Sequence, residues 1–418
     1  MYLTQTNRIR GLTKEQRHML RDMCQASNGL YNAALYYLRK TFFTDKRLLT
    51  YEELYHVCKE TQDYALLQAS LAKQILKVSC REFRQFFNLT KKYPAGDYRY
   101  QYIRIPEYRS KGGYFNLIIP PYATIIRRNV LTVPAGRALR ALYPGVSIQF
   151  RYPDRLKDKK IREIRILPDK DASDFRIQYC YDYTEKTEKT NEKKQGVMAI
   201  DLGVDVLAAC LSDNGTSFLI DGRRIKSINH YWNQQRDYYG QIAASQGLQR
   251  TARIERMWQK RNRQIRDIMM KSAHYIIQRC LDGGIGTIVV GCPPDENDHA
   301  FGNGADSFVP VPFGEFRQIL RGLCERNGIL CIEQEEAYTS KASFMDGDII
   351  PDYLPEQPYQ GSFSGERIER GLYRTKEGKL IQADLNGAAN ILRKSKQNFR
   401  EEGLRDGLLA GPQRIRVC

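Results

Sequence analysis

The sequence predicts an α+β protein of several domains, in which a helical module and a strand-rich region precede a mixed α/β domain. The chain has 418 residues, which is enough for two or three domains with their own cores. Residues 13–87 follow the helical period, residues 98–183 read as short strands, and residues 196–394 combine both patterns. These changes of period set the predicted domain boundaries.

The first region predicts a strand and then helices. Residues 1–10 contain a short strand, from Tyr2 to Ile9, and residues 11–93 form the helical module. Capping boxes at Thr13–Gln16 and Thr50–Glu53 begin two helices. A third helix is predicted from about Tyr64 to Phe87.

The second region, residues 94–187, predicts a β-barrel. Gly, Pro and Asp separate its strands, and Arg and Tyr are frequent between them. The predicted strands are Tyr98–Ile105, Tyr114–Ile119, Asn129–Val133, Val146–Tyr152, Ile161–Leu167 and Phe175–Tyr183. Basic residues interleaved with aromatic ones suit phosphate contact and base stacking. A polar linker, residues 188–195, follows.

The third region, residues 196–394, predicts a mixed domain. An apolar strand runs into Asp201, and a hairpin turn at 212–215 joins the next two strands. A basic helical insertion, residues 228–281, is interrupted near Gly247. Strands at 287–290 and 329–334 flank a helix at 312–327, and a helix follows Asp384. This order of elements is the one expected of an RNase H fold.

Two aspartates of this domain are candidate metal ligands. A carboxylate in a core strand is costly unless something pairs with it, and a divalent metal would do so. For Asp201 the alternative is a solvated carboxylate at a strand end, and for Asp384 it is a helix cap. Gly387, Ala388 and Ala389 follow Asp384 and predict that this helix packs very close to a neighbour.

Together these segments resemble a known family. Val197–Val204, around Asp201, and Ala383–Leu392, around Asp384, resemble the first and third motifs of RuvC-like nucleases. With Tyr338–Lys341, they resemble the TnpB family of transposon-encoded RNA-guided nucleases and the compact type V CRISPR effectors. The resemblance covers residues 196–394 well and implies a RuvC-like domain preceded by a β-barrel wedge domain with a helical recognition module.

The third ligand of the implied site departs from the family pattern. The family usually places a glutamate at the end of the fourth strand, where this chain has Val290-Gly291-Cys292. Either the site is inactive, or a carboxylate arrives from the next strand. Some TnpB-like proteins and their eukaryotic Fanzor relatives carry a glutamate three residues before the Thr-Ser of the motif, which is Glu336 here. We expect Glu336 to be the ligand and keep Glu335 as the second choice, with a solvated acidic cluster as the alternative.

The resemblance implies two Mg²⁺ ions, or Mn²⁺ in their place, held by Asp201, Glu336 and Asp384. It also implies a target-loading loop at 339–383, which in the family often binds zinc through paired cysteines. No Cys lies between Cys331 and Cys418, so we expect no zinc. A small apolar core would replace it, built from Phe344, Met345, Ile349, Ile350, Phe363, Leu372 and Tyr373.

The charge of the chain predicts a polyanion partner. The formal net charge is +18, which favours nucleic acid over a membrane, and no apolar stretch is long enough to span a bilayer. With no signal peptide and scattered cysteines, we expect a cytoplasmic, nucleoid-associated protein of prokaryotic type. Residues 395–418 are polar and are predicted to be a disordered tail.

The resemblance implies guide RNA and target double-stranded DNA as partners, and it leaves monomer and dimer both open. Charge and resemblance select the following nucleic-acid-binding candidates: Arg81, Arg84, Arg127, Arg128, Arg155, Lys159, Lys160, Arg253, Arg256, Lys260, Arg263, Lys341, Arg370 and Arg374. The predicted function is an RNA-guided DNA endonuclease that cuts beside a short flanking duplex motif. A nuclease-inactive RNA-guided repressor and an RNA-independent nuclease or transposase are the alternatives.

Overall fold

The computed structural model describes residues 2–92, 103–182, 195–249, 251–293, 311–354 and 359–417. The chain divides into two compact units, Met1–Lys186 and Thr187–Cys418. Most of the predicted linker, residues 188–194, lies outside the described residues.

The helices of the first unit follow the predicted capping boxes. Thr13 and Thr50 each accept a hydrogen bond from the third residue of the helix and form a complete box. The third predicted helix is divided by extended backbone at Leu67. The helices are α1 (Lys14–Asp45), α2 (Tyr51–Cys58), α3 (Gln62–Leu66), α4 (Ala69–Lys92) and α5 (Arg137–Leu142).

The strands of the first unit form two separate antiparallel sheets. They are β1 (Tyr2–Arg8), β2 (Leu117–Ile119), β3 (Ile125–Arg127), β4 (Val130–Thr132), β5 (Gln149–Arg151), β6 (Ile161–Pro168) and β7 (Phe175–Asp182). One sheet has the order β1-β7-β6-β2 and the other the order β3-β4-β5. The described residues therefore contain no closed barrel, because the short strands β3 to β5 pair only with each other. Of the strand predicted at 98–105, residues 98–102 are outside the description, and residues 103–105 form no strand.

The second unit is built on a six-stranded sheet in the order β12-β11-β8-β9-β10-β16. The strands are β8 (Gly196–Leu202), β9 (Val206–Ser212), β10 (Ser217–Asp221), β11 (Ile285–Cys292), β12 (Leu330–Glu335) and β16 (Gln413–Ile415). Strands β8, β11 and β12 are parallel, whereas β9 is antiparallel to both β8 and β10. The carboxyl ends of β8, β11 and β12 therefore lie at one edge of the sheet.

Helices cover both faces of this sheet. They are α6 (Arg223–Ser245), α7 (Ala252–Asp282), α8 (Phe313–Arg326), α9 (Ala383–Lys394) and α10 (Glu401–Leu409). Met198 and Ile200 join a core with residues of α7 and α8, while Val197 and Ala199 join a second core with residues of α9 and α10. Because strand residues alternate between faces, Asp201 belongs to the face that α9 covers.

The C-terminal residues correct the prediction of a disordered tail. Helix α10 buries Leu404 and Leu408, and β16 pairs in parallel with β10 from Phe218 to Ile220. The two leucines lie four residues apart and face the core, which the surrounding glycine and charged residues conceal in the sequence.

The predicted target-loading loop, residues 339–383, contains a small antiparallel sheet. Its strands are β13 (Glu366–Glu369), β14 (Leu372–Arg374) and β15 (Leu380–Gln382). Phe344 and Tyr373 are fully buried in one core with Ile381, whereas Ile349 is 88% exposed. The predicted apolar core is therefore smaller than the sequence suggests. Among the described residues, no helix combines the length and apolarity that crossing a bilayer would need.

Candidate active site

Asp201 lies near the carboxyl end of β8, at the centre of the sheet. Burial raises the pKa of its carboxyl group well above the ordinary value. The negative charges of Glu336 and Asp384 raise this pKa further, whereas the Arg367 guanidinium lowers it. Asp201 is therefore close enough to both other candidate ligands for their negative charges to raise its pKa.

Asp384 is in the first turn of α9 but does not cap the helix. Gln382 is the N-cap residue, and its side-chain oxygen accepts the hydrogen bond of the Leu385 amide at 2.7 Å. The Asp384 carboxylate instead accepts hydrogen bonds from Arg367 at 3.2 Å and from the Gln382 side-chain amide at 2.9 Å. The capping alternative for Asp384 is therefore wrong.

Helix α9 approaches Asp201 closely because residue 387 is glycine. A Cβ atom at Gly387 would lie 2.5 Å from Asp201 Oδ2, a distance that real Cβ atoms essentially never show. Gly387, Ala388 and Ala389 are all buried, and α9 packs against β8, β9 and β11. The small residues thus let α9 pack very close to β8, as the sequence predicts, and Asp384 and Asp201 lie at the same edge of the sheet.

Glu336 follows β12 at the same edge. Its backbone amide donates to the Cys292 carbonyl at 3.0 Å, which continues the pairing of β12 with β11. A Cβ atom at Gly291 would collide with Glu336 Oε2 and would lie 2.7 Å from Ile391 Cδ1. The Glu336 carboxylate therefore occupies the space that a side chain at residue 291 would fill.

Burial and charge make Glu336 unusual. Burial raises its pKa to about 7, while the charge of Arg317 lowers the pKa and that of Glu335 raises it. Among the described residues, Glu336 Oε2 is buried and has no hydrogen-bond partner. A buried carboxylate oxygen without a partner is well suited to a cation.

Glu335 is placed differently. Its carboxylate forms an ion pair with the Lys394 ammonium and accepts a hydrogen bond from the Ala337 amide. Both oxygens of Glu335 are therefore occupied, whereas Glu336 retains a free oxygen.

The carboxylates of Asp201, Glu336 and Asp384 lie near one another but do not surround a common point. In the part of the chain that the structure describes, no group of three or more His, Cys, Asp or Glu side chains is arranged to hold a metal ion as it stands. Arg367 supplies the compensating positive charge through its ion pair with Asp384. A neighbouring pair joins Arg370 to Asp205 at 2.5 Å.

The predicted nucleic-acid-binding side chains are exposed. In the first unit these are Arg81, Arg84, Arg127, Arg128, Arg155, Lys159 and Lys160, and in the second unit they are Arg253, Arg256, Lys260, Arg263, Lys341, Arg370 and Arg374. Arg155 also bonds to Gln5 at 2.5 Å, and Arg374 pairs with Glu366. Exposure leaves these cations accessible to phosphate groups.

Arg261 differs from the other basic residues of α7 because it is buried. Its guanidinium donates to Asn229 Oδ1 at 2.9 Å and lies 4.9 Å from the centre of the Trp258 ring. Burial lowers the pKa of Arg261 to about 10. This side chain therefore packs α7 against α6, and the basic surface is formed by its exposed neighbours.

Two asparagines in α9 have a role that the predictions from the sequence do not include. Asn386 and Asn390 are fully buried and donate hydrogen bonds to the Ala342 carbonyl, at 2.7 and 2.6 Å. Their spacing of four residues puts them on one helix face, which is the signal that reveals them.

Two family models match the chain between residues 178 and 391. Residues 178–295 match the model described as OrfB_IS605, probable transposase, and residues 313–391 match the model described as the Cas12f1-like TNB domain. In an alignment 220 residues long that covers 49% of this chain, the sequence is 24% identical to TnpB-like protein ORF457 of Acidianus two-tailed virus. The chain spans 42% of the length of that curated relative.

Two solved structures are similar to this chain over most of its length, at low sequence identity. The Cas12f1 chain in a cryo-EM structure with sgRNA and target DNA matches with a TM-score of 0.55 at 13% identity, over 91% of this chain and 83% of that one. The mini-RNA-guided endonuclease CRISPR-Cas_phi3 matches with a TM-score of 0.46 at 11% identity, over 99% and 94% of the two chains. The first of these matches identifies a mixed α/β fold like that of Cas12f1.

Proposed function

Since this chain resembles TnpB proteins in sequence and Cas12f1 in fold, we propose that it is an RNA-guided DNA endonuclease with a RuvC-like active site. The order of the strands supports a RuvC-like domain. Strands β8, β9 and β10 form a meander, and β11 and β12 extend it in parallel beside β8, as in an RNase H fold.

One observation carries the proposal of activity. The Glu336 carboxylate fills the space beside Gly291, at the strand end where the family usually has its glutamate. This supports a carboxylate from the neighbouring strand in place of the missing glutamate. Gly291 favours an inactive repressor only if no other carboxylate replaces the missing one, and the Glu336 carboxylate beside Gly291 favours an active nuclease.

The donor set fits a divalent cation. Asp201, Glu336 and Asp384 offer the hard oxygen ligands that Mg²⁺ prefers, and Mn²⁺ could replace Mg²⁺. Two bound ions would stabilise the attacking and leaving oxygens during phosphodiester hydrolysis. Asp384 would have to exchange its contacts with Arg367 and Gln382 for the ion. Burial is the main cause of the raised pKa of Asp201 and of Glu336, and neighbouring carboxylates raise both further, so a bound cation would offset the cost of their charged forms.

Guide RNA and target DNA are the proposed partners. In each unit the exposed arginines and lysines named above could bind phosphates, while base pairing with the guide would read the target sequence. The protein itself would read the shape of the heteroduplex and a short flanking duplex motif.

The experiment has two steps. RNA that copurifies with the full chain is sequenced, and the protein with that RNA is given matching DNA flanked by random bases, with Mg²⁺ present. We expect one dominant structured RNA and cleaved products that share a flanking motif. Protein without bound RNA, or protein that binds the matching DNA and leaves it intact with Mg²⁺ or Mn²⁺, contradicts the proposal.

Substitutions then test the assigned ligands. Asp201→Ala, Asp384→Ala and Glu336→Gln should each abolish cleavage and leave target binding within about twofold, because the carboxylates act on the ions and the guide carries the affinity. With Mg²⁺ in excess, Glu335→Ala should be much milder, because the Glu335 carboxylate is paired with Lys394 and is not assigned to the ion. Full activity of Glu336→Gln with loss of activity in Glu335→Ala would reassign the third ligand to Glu335.

A further inference from the structure

One face of helix α9 carries three polar side chains at intervals of four residues, Asn386, Asn390 and Lys394, which we call the polar stripe. The two asparagine amides donate to the Ala342 carbonyl, and Asn390 also donates to the Thr339 carbonyl at 2.9 Å. The polar stripe therefore bonds the turn after β12 to α9, the helix whose first turn holds Asp384.

Lys394 completes this connection at the other end of the turn. Its side chain is only 8% exposed, and its ammonium group pairs with the Glu335 carboxylate and donates to the Ala337 carbonyl at 3.3 Å. The Ala337 amide donates back to the same carboxylate. Lys394 and Glu335 thus hold the Glu335 side chain, directly before residue 336, and the main chain of Ala337, directly after it.

The Glu336 carboxylate depends on this backbone for its orientation. The main chain of Glu336 is held by the Cys292 carbonyl at 3.0 Å and by the Thr339 hydroxyl at 2.8 Å. Within the described parts of the chain, its Oε2 atom has no hydrogen-bond partner that would orient it. A shift of the main chain at residues 335–337 would therefore move the carboxylate away from Asp201.

We propose that Lys394, through its part-buried ion pair with Glu335, is a positioning residue that holds Glu336 at the place where it binds a divalent cation. This inference rests on the proposed function. Residues that orient metal ligands without touching the ion commonly change metal affinity by about 10- to 100-fold when replaced. Removing one partner of a buried ion pair is also costlier than removing both, because the remaining charge is left uncompensated.

The test measures binding of Mn²⁺ to the full chain by electron paramagnetic resonance, with the Asp201→Asn protein as the blank for other Mn²⁺ sites. We expect Lys394→Met and Glu335→Gln each to weaken Mn²⁺ binding by about 10-fold or more. The double variant should bind no more weakly than Lys394→Met alone, because both single changes break the same pair. Lys271→Met, which breaks the exposed pair with Asp267 on α7, is the matched control and should not change Mn²⁺ affinity.

A second readout separates positioning from general stability. With excess Mn²⁺, cleavage by Lys394→Met should recover to within a few-fold of the unaltered rate, and target binding should stay unchanged. Unchanged Mn²⁺ affinity in a folded Lys394→Met protein, or equal losses of Mn²⁺ and target affinity, would overturn the inference. If Lys394→Met does not fold, Glu335→Gln decides alone, since it changes only the charge of its side chain. If the unaltered protein neither binds Mn²⁺ at Asp201 nor cuts, the proposed function itself fails.

Discussion

At the scale of single residues, two glycines decide which carboxylates meet. Gly387 allows α9 to lie against Asp201, and Gly291 leaves the space that the Glu336 carboxylate fills. Neither glycine needs an unusual backbone conformation, so each is explained by the side chain it leaves out. The arrangement of the carboxylates therefore depends on the lack of a side chain at these two glycines as well as on the acidic residues themselves.

The space beside Gly291 leads to an exchange experiment. Gly291→Ala should lower cleavage by at least 10-fold, because the added Cβ atom collides with Glu336 Oε2 and displaces it. Combining Gly291→Glu with Glu336→Ala should restore part of the cleavage that Glu336→Ala alone abolishes, since the carboxylate returns from the neighbouring strand. Single-turnover cleavage rates measure both effects. A combined variant as inactive as Glu336→Ala, although folded, would contradict the shared position.

The raised pKa of Glu336 predicts how pH and metal act together on stability. With a pKa of about 7 in the folded protein, against an ordinary value of 4.5, the folded state favours the protonated form. In metal-free protein this contribution to stability is present below about pH 4.5 and is lost as the pH rises through 7. A divalent cation favours the deprotonated form instead.

We therefore expect Mg²⁺ or Mn²⁺ to raise the unfolding temperature more at pH 8 than at pH 5.5. Thermal unfolding of nucleic-acid-free protein with and without the ion measures this difference. Glu336→Gln should reduce the difference between the two pH values, because glutamine does not titrate there. An equal shift at both values in the unaltered protein would contradict the assignment of Glu336.

At the scale of elements, the arginines of the α6–α7 hairpin fall into two groups, buried and exposed. Arg261 is buried against Trp258 and Asn229, whereas Arg253 and Arg256 are exposed on the same helix. Spacing along α7 explains this difference, because only one stripe of a helix faces its partner. The density of basic residues alone does not separate the buried arginine from the exposed ones.

This difference can be measured with single substitutions in α7. Arg261→Ala should lower the free energy of unfolding by about 2 kcal/mol or more, because it removes buried, charge-assisted hydrogen bonds. Arg253→Ala and Arg256→Ala should change it by less than about 0.5 kcal/mol and should weaken nucleic-acid binding instead. Urea unfolding and filter binding distinguish the two effects. Equal destabilisation by all three would mean that the exposed arginines are structural.

At the scale of the whole molecule, the net positive charge is the feature that indicates the kind of partner. A net charge of +18 on 418 residues predicts a polyanionic partner, and both units expose basic side chains. Each unit has its own core, so the basic surfaces of the two can be tested separately by substitution.

Salt dependence measures how many of these side chains bind phosphate. Changing Arg127, Arg128, Lys159 and Lys160 together to alanine should weaken RNA binding and lower the slope of log affinity against log salt by about 3, or roughly 0.7–0.9 for each lost contact. Exchange of Glu52, Glu60, Glu107 and Asp158 for alanine is the control and should not lower the slope. An unchanged slope in the basic variant would mean that RNA binds elsewhere.

Local patterns in the sequence predict most of the helices and strands and the places of the two aspartates within them. Hydrophobic period, capping boxes and turn residues predict α1, α2 and most strands of the second unit, because these signals act between residues close in the chain. Asp201 at the end of an apolar strand and Asp384 in the first turn of a helix follow from the same patterns. The prediction of a disordered tail is wrong, because β16 pairs with the distant strand β10. The prediction of a β-barrel goes beyond the two separate sheets observed, because the pairing of short strands also depends on distant partners.

Tertiary contacts favour Glu336 over Glu335 as the third ligand of the proposed site. Glu335 and Glu336 are neighbours of the same type, and the choice between them rests in the sequence on a resemblance alone. The pairing of β11 with β12 brings Glu336 to Gly291, and α9 brings Lys394 to Glu335. Strand register and helix approach depend on contacts between residues far apart in the chain, so no local pattern reveals them.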